Sequence, residues 1–132
     1  MTDCIFCRIG RKEIPCHIIY EDDDTMAFLD IKPHAKGHTV VIPKKHGETV
    51  FDIDDKTYMA VMKAVKKTME KIQKVLDPDG FNAGWNHNTA GGQVVPHLHV
   101  HIFPRYNDDN GGSMHSIVNA PVDVEEVAEM FK

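Results

Sequence analysis

The chain has 132 residues, 42% hydrophobic and 27% charged, a length and balance that suit one globular domain with a single core. Fifteen Lys plus Arg against twenty Asp plus Glu leave a net charge of −5, which argues against a general nucleic-acid or anionic-membrane binder. No apolar run reaches membrane-span length, the first residues lack a signal-peptide pattern, and three cysteines cannot all pair; the expectation is a cytoplasmic protein with reduced thiols.

In chain order, Cys4 to Gly10 forms one short helical turn with Ile5, Phe6 and Ile9 as its apolar contacts. "CHIIYEDDDTMAFLDI" reads as two strands, near 16–20 and 25–31, joined by the acidic turn Glu21–Asp24. A Pro/Gly-marked loop leads to a strand over His38–Ile42 that Pro43 ends. From Asp55 to Leu76, Tyr58, Met62, Val65, Met69, Ile72 and Leu76 recur at steps of three and four, which predicts a long amphipathic helix capped by Asp54 or Asp55. Its lysines form a solvated face, and "DPDG" ends it.

Phe81 to Asn86 reads as a fourth strand, "HNTAGGQVVP" as a glycine-bearing loop, and "HLHVHIFPR", His97 to Arg105, as a fifth strand. A polar loop follows, then a short helix over 123–131 with Asp123 and Glu126 at capping-box spacing. The sum is an α+β fold, an antiparallel sheet of about five strands packed on one long helix, in a single domain with its core in 1–105 and a loop and short helix in 106–132.

On a strand, His97, His99 and His101 share one face about 7 Å apart, while Leu98, Val100 and Ile102 share the other. The aliphatic side would face the long helix and leave the imidazoles accessible. Three readings follow: metal ligands, a nucleophile with flanking donors, or a histidine-rich surface strand. Gly91 and Gly92, just before the strand, free backbone N–H groups to approach an anion, which favours phosphoryl chemistry; no P-loop sequence is present. Cys4 and Cys7 form a C-x-x-C pair that stands open between a redox pair, half a tetrahedral metal site and two free thiols.

"HLHVHIF" resembles the signature of the histidine triad family of nucleotide hydrolases and transferases, and "CIFCRI", "AFLDI" and "GHTVVIPKKH" extend the resemblance over most of the chain. The Hint-like branch implies a homodimer that binds purine nucleoside monophosphates such as AMP, with no nucleic-acid or membrane partner. It implies His99 as nucleophile at the α-phosphorus, with His101, Gly92 and Gln93 on the phosphate. It also implies Asn86 on phosphate or ribose, Asp30 on the ribose hydroxyls, and Phe6, Phe28 and Ile31 around the base. Val94 stands where Hint proteins carry a serine near the leaving group, which leaves the preferred leaving group open between phosphoramidates and dinucleoside polyphosphates. Bacterial-type members with the cysteine pair imply a structural zinc ion held by Cys4, Cys7, His46 and His97. The remaining histidines, His38 among them, read as packing or surface residues.

Overall fold

"TMAFL" and "TVVIP" are apolar at nearly every position rather than every second one, the pattern of strands covered on both faces. In the computed structural model, which describes residues 4–132, both lie inside a five-stranded antiparallel sheet. The strands are β1 (Ile18–Glu21), β2 (Thr25–Leu29), β3 (Thr39–Pro43), β4 (Gly80–Gly84) and β5 (Val100–Arg105), in the order β1-β2-β3-β5-β4. The expectation about the first residues falls partly on 1–3, outside the described residues. Among those described, no helix is long and apolar enough to cross a membrane.

The long helix, α2 (Asp55–Leu76), has the bounds its periodicity predicts. Asp54 caps it by accepting from the Thr57 N–H at 2.8 Å, and Asp77 closes it in the left-handed conformation at φ 49°. Its buried side, Val61, Ala64, Val65 and Ile72, packs on Ala27, Val41, Val100 and Ile102. Full burial of each Val or Ile side chain in this layer contributes about 1.5–3 kcal/mol. Gly37, at φ +90°, lets the loop into β3 press on the end of α2, since a Cβ there would lie 2.5 Å from Leu76 Cδ1.

The opposite face of the sheet is not open. A short N-terminal helix, α1 (Ile5–Gly10), lays Ile9 over Met26, Phe28, Val40 and Ile42, with Phe6 packed beside them. The expectation of accessible imidazoles is therefore corrected: His97 is 0% and His99 7% exposed. The continuous apolar runs of β2 and β3 are the physical cause, because their second face also needs cover.

Several boundaries differ from expectation: β1 starts at Ile18 and not near 16, and β4 ends at Gly84 and not at Asn86. β5 begins at Val100, not His97, because the Leu98 N–H bonds to Gly47 O at 2.7 Å and not to a neighbouring strand. β2 ends at Leu29, where Asp30 turns the chain by accepting from the Lys32 N–H. The last helix, α3, covers Val124–Glu129, and its Asp123 cap takes the Glu125 N–H, so no capping box with Glu126 forms. Beyond Tyr106 no residue is buried.

Candidate functional site

Pro96 has no N–H to give a ladder, and the chain enters β5 through a bend in which the His97 N–H bonds Val95 O. This bend drives the His97 ring beneath α1. Its Nε2 lies 2.8 Å from Pro43 O, so Nε2–H donates and Nδ1 keeps its lone pair. Burial pushes this imidazole down to about 4, which keeps it neutral. The Nδ1 lone pair faces Cys4 Sγ at 3.3 Å, Cys7 Sγ at 3.5 Å and His46 Nδ1 at 3.2 Å, and Cys7 Sγ is 3.3 Å from His46 Nδ1. Zinc bonds of 2.0–2.3 Å in a tetrahedron imply ligand-to-ligand edges of about 3.3–3.8 Å. The donor set and its spacing fit such an ion. Burial and the Cys4 contact push the Cys7 thiol up, a cost that a bound cation would reverse.

Two residues on, the His99 Nδ1 sits 2.7 Å from the carbonyl oxygen of His97. A carbonyl only accepts, so Nδ1–H donates and Nε2 carries the free lone pair. Burial holds this imidazole below its ordinary 6.5, although the His97 carbonyl and the Asp30 charge pull the other way. Phe6, which stands between the two cysteines of α1, meets the His99 ring edge-on with centroids 5.0 Å apart.

His38 joins this cluster, although the sequence alone reads it as a packing or surface residue. It is 2% exposed, and its Nδ1 accepts the His34 N–H at 3.2 Å. Its Nε2 must then carry the proton, which it donates to His101 Nδ1 at 3.0 Å. His101 is thereby left with Nε2–H as its free donor. Burial, then the His99 and His38 neighbours, pushes His101 down to about 4. Asp30 Oδ2 lies 3.7 Å from His38 Nε2. Asp30, His38 and His101 are close enough to share a cation, but a metal on His38 Nε2 would force Nδ1–H against the His34 N–H. The trio is a hydrogen-bond chain. Phe103 stacks on His101 at 5.6 Å and 14° and on His38 at 4.3 Å. The signal for His38 lay in strand pairing: Val40 stands opposite His101, which puts position 38 on the histidine face.

The glycine loop is arranged otherwise than expected. The N–H groups of Gly91 and Gln93 bond Asn88 O, and that of Gly92 bonds Thr89 O. The short turn Thr89–Gly91 curls these donors inward, so Gly92 and Gln93 present no free N–H to an anion in this conformation. Gln93 braces the loop: its Oε1 accepts from the Asn88 N–H and its Nε2 donates to Glu48 O and Val95 O. Gly92 is favoured where it stands by its φ of +97°, a left-handed conformation that side chains rarely adopt. Phe28 lies in the core under α1 and touches Phe6 edge-on at 5.7 Å, while Ile31 and Val94 are exposed.

A family model described as the HIT domain matches residues 11–108. A protein described as an uncharacterised HIT-like protein of Methanocaldococcus jannaschii is 44% identical over 129 residues, 98% of each chain. The adenosine 5'-monophosphoramidase of Schizosaccharomyces pombe is 37% identical over 108 residues, 82% of this chain and 78% of that one. The solved structure of a histidine triad nucleotide-binding protein from Candida albicans superposes with a TM-score of 0.81 at 30% identity, covering 98% of this chain and 92% of that one.

The hydrogen-bond pattern predicts three ring tautomers: Nε2–H at His97, Nδ1–H at His99 and Nε2–H at His101. Nitrogen NMR of the labelled protein reads them directly. In the His38→Phe variant His101 loses its acceptor role and samples both tautomers, while His99 is unchanged.

Proposed function

Because the chain belongs to the HIT family, with the α+β fold of that family's solved structures, we propose that it is a nucleotide hydrolase acting at the α-phosphorus of AMP-type substrates. One observation carries this reading: the His99 Nδ1–H is tied to the His97 carbonyl, so that a neutral imidazole offers Nε2 to an electrophile. The likeness to the fission-yeast adenosine 5'-monophosphoramidase supports the substrate class.

In the proposed reaction His99 Nε2 forms a bond to the α-phosphorus as the bond to the leaving group breaks and the leaving group takes a proton from solvent water, giving a nucleotidyl-imidazole. Water then attacks the phosphorus, the N–P bond breaks, and the nucleoside monophosphate leaves with His99 restored. The His101 Nε2–H donates to a phosphate oxygen, and His38 holds that ring in the donating tautomer. Asp30 receives the ribose hydroxyls, and Phe6, beside His99, forms the wall against the base. Asn86 remains the ribose or phosphate contact that the resemblance implies. With its inward N–H, Gly92 acts by allowing the left-handed turn of the loop, and Gln93 by fixing that loop. Ile31 closes the base side from an exposed loop, and Phe28 backs Phe6 from within the core.

Zinc is proposed for Cys4, Cys7, His46 and His97, as their donor chemistry and spacing support. When bound, it would serve as a structural cross-link between α1, the segment after β3 and the bend before β5. The protein itself supplies the neutral Nδ1 of His97, through the Nε2–H bond to Pro43 O, and so aims the ligand.

His99→Ala should lower release of AMP from adenosine phosphoramidate and from diadenosine tetraphosphate by at least about a thousandfold, with loss of the AMP adduct seen by mass spectrometry in the quenched wild type. Equal nucleotide binding without turnover in either protein would instead identify a purine-nucleotide-binding regulator. The nucleophile must be unprotonated, and its folded value lies below the ordinary 6.5. The acid-limb midpoint of kcat/KM should therefore lie below 6.5, the pH at which a free imidazole is half-protonated. Metal analysis should find about one zinc ion per chain, and chelation should lower the melting temperature by several degrees. A metal-free preparation with an unchanged melting temperature would refute the zinc assignment.

A further inference from the structure

We propose that Cys4 and Cys7 are an oxidative modification site: a peroxide joins them as a disulfide, and the ion held by their cluster leaves. The release step rests on the zinc assignment; the disulfide rests on the placement of the two sulfurs.

The two thiols differ in access, and that difference assigns their roles. Cys4, at the cap of α1, is half-exposed, whereas Cys7 is 6% exposed. An oxidant in solution meets Cys4 first, and Cys7 waits in the interior as the group that closes the bond. Their Sγ atoms lie within 4.8 Å of each other, and the Cys7 N–H already points at Cys4 Sγ from 3.5 Å. A disulfide takes Cα separations of about 4.4–6.8 Å, which residues three apart on one turn satisfy. Cys16 is a poor competitor. It packs against the apolar cluster under α1, and burial pushes its thiol up, so it stays protonated and unreactive.

The chemistry closes with hydrogen peroxide as oxidant. The Cys4 thiolate attacks one peroxide oxygen, the O–O bond breaks, and the departing hydroxide takes a solvent proton to become water. The Cys7 thiolate then attacks the sulfur of the sulfenic acid. The S–S bond forms, and the oxygen leaves as a second water with another solvent proton. Each sulfur has given up one electron, and the peroxide has taken both. A disulfide sulfur is no longer a thiolate ligand, so only His46 and His97 of the cluster remain, short of the four donors that zinc takes.

The exchange of cross-links gives the modification its effect. Through a shared ion Cys7 is tied to His46, 39 residues away, and to His97, 90 residues away. The disulfide instead joins residues three apart within one short helix and constrains nothing beyond it. A cross-link stabilises with the logarithm of the loop that it closes, so oxidation trades long closures for one of little effect. α1 is then left to its apolar contacts, Ile9 and Phe6 among them. Phe6, between the two sulfurs, is also the ring that meets His97 at 5.9 Å and His99 at 5.0 Å. Oxidation of the cluster therefore loosens the cover of the imidazole face.

The full-length, zinc-loaded chain is treated with hydrogen peroxide, quenched with catalase and alkylated with iodoacetamide. Peptide mapping should find Cys4 joined to Cys7 and Cys16 alkylated, with zinc passing to a chromogenic chelator in step with the disulfide. The melting temperature should fall by about 5–10 °C, and amides of α1 should exchange about tenfold faster. Dithiothreitol with added zinc should restore both. In Cys7→Ser, dimedone should trap Cys4 as the sulfenic acid; in Cys4→Ser, the buried Cys7 should react about tenfold more slowly. Cys4 and Cys7 left open to alkylation by peroxide that oxidises free cysteine, a disulfide through Cys16, zinc retained beside the Cys4–Cys7 disulfide, or an unchanged melting temperature would each overturn the proposal. Metal analysis before the oxidant separates the two failures. A chain without zinc overturns the zinc assignment and the release step with it, whereas a zinc-loaded chain that resists peroxide overturns this proposal alone.

Discussion

The 2.7 Å hydrogen bond from His99 Nδ1–H to the carbonyl of His97 is the constraint on which the rest depends. It decides which nitrogen of the buried ring is free, and the backbone bend before β5 exists in the form that makes it. Pro96 breaks the approach, Leu98 anchors on Gly47, and the His97 ring is locked by Pro43 O on one side and faces the Cys4, Cys7 and His46 donors on the other. A single residue thus serves the donor cluster with its side chain and sets the His99 tautomer with its main chain.

The imidazoles stay neutral because they are covered. α1 closes the sheet over His97 and His99, and Phe103 stacks across His101 and His38 at the other end. Desolvation disfavours the imidazolium, and the hydrogen-bond chain His34 to His38 to His101 then assigns each remaining proton. Burial and protonation logic are one arrangement here, since an exposed row of histidines would titrate near neutrality and lose its defined donors and acceptors.

Periodicity within one segment was readable, and relations between segments were not. The bounds of α2, the five strands and the aliphatic face of Val100 and Ile102 all follow from spacing along the chain. The cover over the histidine face does not, because it is supplied by α1 from about ninety residues away, although the unbroken apolar runs of β2 and β3 already required it. His38 escaped notice for the same reason: alone in β3's approach it looks like a packing residue, and only the pairing of Val40 with His101 gives it a partner. The glycine loop misled in the opposite sense. Glycine spacing indicates permissive backbone, but the direction in which the N–H groups point depends on how Asn88 and Thr89 curl the turn.

The acceptor that sets the His99 tautomer is a peptide oxygen, and this has a consequence for how the protein tolerates change. Any residue at position 97 retains that oxygen, so side-chain replacement there can abolish donor chemistry in the sulfur cluster while leaving the neighbouring ring's proton where it is. Drift in the sequence can therefore discard the cluster while the free Nε2 lone pair of His99 persists. Only a change in the path of the main chain, or an amide-to-ester replacement that weakens the carbonyl as an acceptor, reaches the proton of the His99 ring.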